Sequence, residues 1–145
     1  YNTKSTKIVG NLDISGSKLN ISAPNKDNIS IKQNAKSIQA LLKSVTDIYK
    51  IKSPKISGDL SMVASIKSLK SASVTLKSNK IIIGENEKSG TKISNIMLQL
   101  SGNAKGAKIS KYKLTTSGVD IYANKASNIR FENGNINISE LWIND

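Results

Sequence analysis

Two residue types are missing from this sequence altogether, cysteine and histidine. Without cysteine there is no disulfide framework, no thiolate nucleophile and no cysteine-ligated zinc. Without histidine the chain lacks the usual general base, the pH switch of the neutral range and the commonest metal ligand, and a Ser-His triad is impossible. Aromatic residues make up only 4% and hydrophobic residues 37%, so whatever core forms is aliphatic and built with few bulky anchors. Proline occurs twice, as Pro24 and Pro54. No apolar run approaches the roughly 20 residues that a membrane-spanning helix needs, and no signal peptide is visible. If the protein is exported, its signal or anchor is expected outside this segment.

Acidic residues are also scarce: 10 Asp and Glu stand against 22 Lys and Arg, a net charge of +12. Such a balance attracts polyanions, whether nucleic acid, anionic lipid headgroups or lipopolysaccharide. The lysines are spread almost evenly, mostly alternating with apolar residues, and Arg130 is the single arginine. Nucleic-acid readers cluster arginines and interleave aromatics for stacking, and neither feature is present. The lysines read as a solvated outer face that anionic headgroups can meet, and no specific nucleic acid is expected. Asp27, Glu85 and Glu87 lie in turn-like text and pair with nothing as acid and base. Gly102–Gly106 (GNAKG) lacks the Lys-Ser/Thr ending of a phosphate-binding loop. The glycosylation triplets at Asn20, Asn28 and Asn137 are what a chain this rich in Asn and Ser contains by chance. No enzyme, metal or cofactor is expected.

What is present is period-two text. Leu12 and Ile14, then Leu19 and Ile21, flank Ser15-Gly16-Ser17 and predict a hairpin. Ala23–Asn28 reads as a loop, followed by a brief strand at Ile29–Ile31. Over residues 35–50 the period becomes helical. Ile38, Leu41, Leu42, Val45, Ile48 and Tyr49 form one apolar stripe, with Asn34 placed to cap it, Lys50 and Lys52 at its end and Pro54 to stop it. From Ile56 alternation returns. Ile56, Leu60, Met62, Ala64 and Ile66 share one parity, interrupted by Val63. Ala72, Val74 and Leu76, the triplet Ile81–Ile83, and Ile96, Leu98 and Leu100 continue it. Gly84–Thr91 and Asn103–Gly106 are turns. Ile109, Tyr112 and Leu114, then Val119 and Ile121, Ile129 and Phe131, and Ile136 and Ile138 complete the set. Asn133-Gly134 is the strongest local hairpin signal, and Leu141–Ile143 is expected as a last strand.

About ten short strands and one helix, without a helix for every crossover, predict a mainly β chain of 145 residues. The expectation is a single β-rich domain, or a segment of a longer repeat-like protein, in which one-sided antiparallel strands form a curved sheet, groove or roll. The aliphatic parity must be covered. A second sheet or the helix stripe would give a sandwich or roll; lipid chains would make the face a groove. The residues expected to line such a groove are Ile56, Leu60, Met62, Ile66, Val74, Leu76, Ile96, Leu98 and Leu100, with the helix stripe covering part of the face.

The order of these pieces resembles the AsmA family of Gram-negative envelope proteins, relatives of the TamB and YhdP bridge-like lipid carriers. Gly10–Ile21 (GNLDISGSKLNI) is similar to the family's hairpin before a linker, and Ile38–Val45 (IQALLKSV) to its short helix with a Leu-Leu pair. Ile56–Leu60 (ISGDL) resembles its strand entry with a central glycine, and Leu69–Ile83 (LKSASVTLKSNKIII) its pair of strands, with Ser73 where aspartate is usual. The likeness covers Gly10 to Ile83. It implies a periplasmic segment tethered to the inner membrane from outside this chain, with a β-groove that shields phospholipid acyl chains for lipid transport and outer-membrane assembly. The alternative is a cell-surface or fibre-forming, adhesin-like β module whose apolar faces are buried between sheets or subunits.

Overall fold

The computed structural model describes residues 7–14, 16–25, 27–50, 55–68, 70–103, 106–132, 135–140 and 142–144. The strands are β1 (Ile8–Ile14), β2 (Ser17–Asn25), β3 (Asn28–Ala35), β4 (Ile56–Gly58), β5 (Leu60–Lys67), β6 (Ser71–Ile83), β7 (Thr91–Asn103), β8 (Gly106–Thr116), β9 (Val119–Ala123), β10 (Ser127–Glu132) and β11 (Asn135–Ile138), with helix α1 at Ile38–Tyr49. All join one open antiparallel sheet of 11 strands in the order β1-β2-β3-β5-β6-β7-β8-β10-β11. β4 pairs with β6, and β9 with β8. The chain is mainly β, as the alternation predicts, and no second sheet is present among the described residues.

The Leu12/Ile14 and Leu19/Ile21 alternation becomes the β1–β2 hairpin, with Leu12 opposite Leu19 and Ile14 opposite Ser17. Gly16 turns it at φ 77°, its N–H bound by the Asp13 carboxylate at 3.1 Å. Several expectations are corrected. Ala23, Pro24 and Asn25 end β2 instead of forming a loop. Asn25 Oδ1 accepts from the Asp27 N–H at 3.0 Å and from Asn28 Nδ2 at 3.1 Å, which contracts the connection to a turn. Pro24 sits where the β2–β3 register shifts, a place that tolerates a missing N–H. β3 accordingly extends well past Ile31. Asn34 and Ala35 belong to it, Asn34 facing Lys18 and Ser61 and Ala35 facing Ser17 and Leu60. Pairing on both sides of β3 satisfies that backbone better than a local cap would. The helix therefore begins at Ile38, not at residue 35. Ser37 caps it, its hydroxyl accepting from the Ala40 N–H at 3.2 Å, and Lys50 closes it in the left-handed region.

Among the described residues Trp142 and Ile143 form no last strand. Tyr122 and Asn144 make an isolated bridge with N–H···O distances of 3.1 and 3.0 Å, while Trp142 stacks under the Lys125 ammonium 4.2 Å from its ring centroid. Lys52, Pro54, Asn133, Gly134 and Leu141 lie outside the described residues. The strands flanking Asn133-Gly134 do pair, Phe131 with Ile136 and Glu132 with Asn135.

One irregularity shapes the sheet. Gly58 of β4 pairs with Ile81 and Ser61 of β5 with Lys77, so the two residues between them, Asp59 and Leu60, face three of β6. At the same level Asn95 and Ile96 of β7 face the single residue Leu114 of β8, with Asn95 at φ 51°. Between β6 and β7 the register runs on unbroken, Ser78 opposite Ile96 and Lys80 opposite Ser94. Two bulges thus lie side by side, and inward parity changes from even to odd in both strands together. Asp59 braces them: its carboxylate accepts from the Asn79 N–H, the Lys80 N–H and Asn79 Nδ2, each at 3.1 Å. Gly58 has φ 135°, and a Cβ there would fall onto the Lys80 carbonyl oxygen. Gly58→Ala should therefore cost about 2–3 kcal/mol in urea unfolding; an unchanged midpoint would contradict this role for the paired bulges.

Candidate functional site

Register converts the alternation into faces, because directly paired residues point to the same side. One cross-strand row reads Leu12, Leu19, Gln33, Met62, Leu76, Leu98, Tyr112, Ala123. The next reads Gly10, Ile21, Ile31, Ala64, Val74, Leu100, Ile109, Ser127. A third reads Ile29, Ile66, Ala72, Gly102, Ala107, Ile129, Ile138. Beyond the bulges the same side continues as Gly58, Ile81, Ile93, Thr116, Val119 and as Ile56, Ile83, Thr91. No charged residue stands in any of these rows. Ile56, Leu60, Met62, Ile66, Val74, Leu76, Leu98 and Leu100 share this side of the sheet. Ile96 sits in the bulge, where alternation is interrupted. Val63, which breaks the sequence pattern, lies on the opposite face between Lys32 and Thr75 and is exposed.

The face is open. The buried apolar residues are Ala23, Ala35, Ile38, Ala64, Ile82 and Ala123, mostly alanines, while the Leu, Met and Val side chains of the rows are half-buried at most. At the margins Ile8, Leu12, Ile83 and Ile138 are about half exposed or more. A compact protein of this mass would expose about 7,300 Å²; this chain exposes 10511 Å². The difference exceeds a standard protein–protein interface counted on one partner. A hollow of about 500 Å³ opens in the third row, where Ala72, Gly102 and Ala107 are flanked by Ile66 and Ile129, with Lys70 and Ser71 also lining it.

α1 packs beside β4, where Gln39 Oε1 accepts from the Ile56 N–H at 3.1 Å. Ile38 is buried and Leu42 half-buried; the side chains of Leu41, Val45, Ile48 and Tyr49 lie outside the described residues. Polar groups on the apolar side are partly matched: Gln33 Nε2 donates to the buried Ser17 Oγ at 3.2 Å. Ser127, 1% exposed, has no hydrogen-bond partner for its hydroxyl among the described residues, and neither has Ser78 at the bulge.

The opposite face is polar. Rows such as Ser22, Ser30, Ser65, Ser73, Ser101, Lys108 run across it. Ion pairs join Lys43 to Asp47, Lys55 to Glu85, Lys80 to Glu87 and Lys113 to Asp120. The hydrogen bond from Lys80 holds the Glu87 carboxyl below its ordinary value, and the one from Lys113, with a further bond from Thr115, does the same for Asp120. Both carboxyls stabilise the fold above the ordinary carboxylate range, and that contribution is lost as pH falls through the lowered values. No group of three acidic side chains is placed to hold a metal ion among the described residues, and no described helix is long and apolar enough to cross a membrane.

Comparison with family profiles, curated proteins and solved structures finds no match.

Because the Ser127 hydroxyl is buried without a partner, Ser127→Ala should raise stability by about 1 kcal/mol, read as a higher urea midpoint. A lower midpoint would mean that the hydroxyl is bonded in solution.

Proposed function

We propose that this chain is a non-enzymatic lipid-shielding segment that carries phospholipid acyl chains on its open apolar face. The observation that supports the reading is the extent of that face: aliphatic rows without a charge, continuous across the sheet, in which no described Leu, Met or Val side chain is fully buried. Each 100 Å² of acyl surface removed from water there contributes about 2.5 kcal/mol before the costs of ordering the lipid. Binding of this kind needs area, not a particular side chain, so it requires no catalytic or coordinating motif. In this reading, which follows the resemblance to the AsmA family, the chain works in the periplasm of a Gram-negative envelope. It is tethered to the inner membrane by a segment outside it and serves phospholipid transport and outer-membrane assembly.

A second reading, a surface or fibre-forming β module, draws on one observation. The edge strand β1 exposes Ile8, Val9 and Leu12 by more than half and carries neither lysine nor proline within Ile8–Ile14, the usual guards against edge-to-edge pairing. Native mass spectrometry of the gently purified protein separates the two. The carrier reading expects bound phospholipid, lost by at least about tenfold when Leu76→Glu and Leu98→Glu are combined, because a buried unpaired charge opposes acyl contact. A lipid-free, well-folded monomer would overturn the carrier reading, and lipid-free fibres or strand-paired oligomers would favour the second.

A further inference from the structure

The face that turns away from the aliphatic rows carries most of the sheet's charge, and shielding acyl chains makes no use of it. Register places Lys32 and Lys111 in one polar row, Lys77 in the next and Lys108 at the end of the serine row, with Lys67 and Arg130 on the same side. All six side chains are exposed. Carboxylates near these cations are engaged elsewhere: Glu87 binds Lys80, Asp120 binds Lys113, Asp59 accepts from the Asn79 and Lys80 N–H groups, and Asp13 stands opposite Lys18. Among the described residues none of the six has a carboxylate partner. An open sheet whose one face has no charge and whose other face keeps uncompensated cations is polarised through its thickness.

We infer that this polar face docks flat on an anionic phospholipid bilayer. The geometry of the charges favours a surface over a strand-like polyanion. They spread in two dimensions, from β3 to β10 across the sheet and over four rows along it, with Lys32 and Lys111 about 19 Å apart at the usual strand spacing. A nucleic-acid groove would concentrate them in a stripe and interleave several aromatics, whereas among the described residues register puts one aromatic on this face, Tyr122 at the end of the Lys77 row. Lysine ammoniums on flexible stems suit a fluid layer of phosphates, where no fixed fork geometry is required. The residues between them are short. The row Ser30, Ser65, Ser73, Ser101 lets the sheet approach headgroups closely enough for attraction that fades within about 8–10 Å at physiological salt. At the end of that row a recess of about 610 Å³ opens between Lys108 and Arg130, beside Asn128, room enough for a phosphate headgroup. This docking does not depend on what occupies the apolar face.

The test is co-sedimentation of the full chain with phosphatidylcholine vesicles, with and without about 30% phosphatidylglycerol, at about 50 mM salt. Wild type should pellet with the anionic vesicles only and be released at high salt. The variant Lys32→Gln/Lys77→Gln/Lys108→Gln/Lys111→Gln, all exposed positions, should keep the wild-type circular dichroism and bind at least about tenfold more weakly. Failure to pellet with anionic vesicles, equal pelleting with neutral ones, or unchanged binding by the variant would overturn the inference. Displacement from the vesicles by an equal charge of duplex DNA would overturn it in favour of nucleic acid. Loss of acyl-chain binding in Leu76→Glu/Leu98→Glu with vesicle docking intact would separate this face from the apolar one.

Discussion

The hydrophobic effect demands that an aliphatic surface be covered, and in this chain the demand is larger than the chain can meet alone. A single twisted sheet has two faces and no interior. Here one face is built from Leu, Ile, Val and Met at every second position, while full burial is reached mainly by alanines and by Ile38 and Ile82 near the helix and turns. Burial of aliphatic side chains is the main favourable term in folding. A fold that leaves so many of them half-exposed draws its stability from strand pairing along its length and from whatever comes to lie on the open face.

Keeping that face intact across 11 strands is a matter of register. A one-residue slip in a single strand would turn its aliphatic side chains to the polar side. β6 and β7 each change parity at Ser78–Lys80 and Asn95–Ile96, yet the face survives because the two bulges sit side by side and the pairing between them never shifts. Asp59 and Gly58 hold the site from β4–β5, one by its carboxylate and the other by its bare α-carbon. The same device explains Ile81-Ile82-Ile83. Ile81 and Ile83 fall on the aliphatic side, and Ile82 turns to the other face, where it is buried against Gly90.

Much of this is legible in the residues. Alternation in Leu60–Ile66, broken at Val63, and strict alternation in Ala72–Leu76 and Leu98–Leu100 state the inward parity before any register is known, and strand type follows from it. What the residues do not announce is decided by competition between neighbours. Asn34 and Ala35 carry capping and helical chemistry, but strands on both sides claim their backbone. Pro24 looks like a loop residue until the β2–β3 register shift gives it a place in a strand. Leu141-Trp142-Ile143 reads as apolar enough for a strand, yet among the described residues Trp142 and Ile143 join no strand and the pairing there is the bridge from Asn144 to Tyr122. Nor does the alternation say whether a one-sided sheet folds onto a partner layer or stays open; that depends on how much the single helix can reach. Among the described residues α1 packs beside β4, and the Leu, Met and Val side chains of the central rows are half-buried.

The central claim, an open aliphatic face that accepts acyl chains, is tested most directly by its one-sidedness. The absence of cysteine allows a single reporter thiol to be placed at will. Bimane attached at Leu98→Cys, on the aliphatic side, and at Thr75→Cys, on the polar side, can be exposed to a spin-labelled short-chain phospholipid below its micelle concentration. The account predicts saturable quenching at Leu98→Cys and little at Thr75→Cys. Equal quenching at both positions, or none at Leu98→Cys, would contradict it.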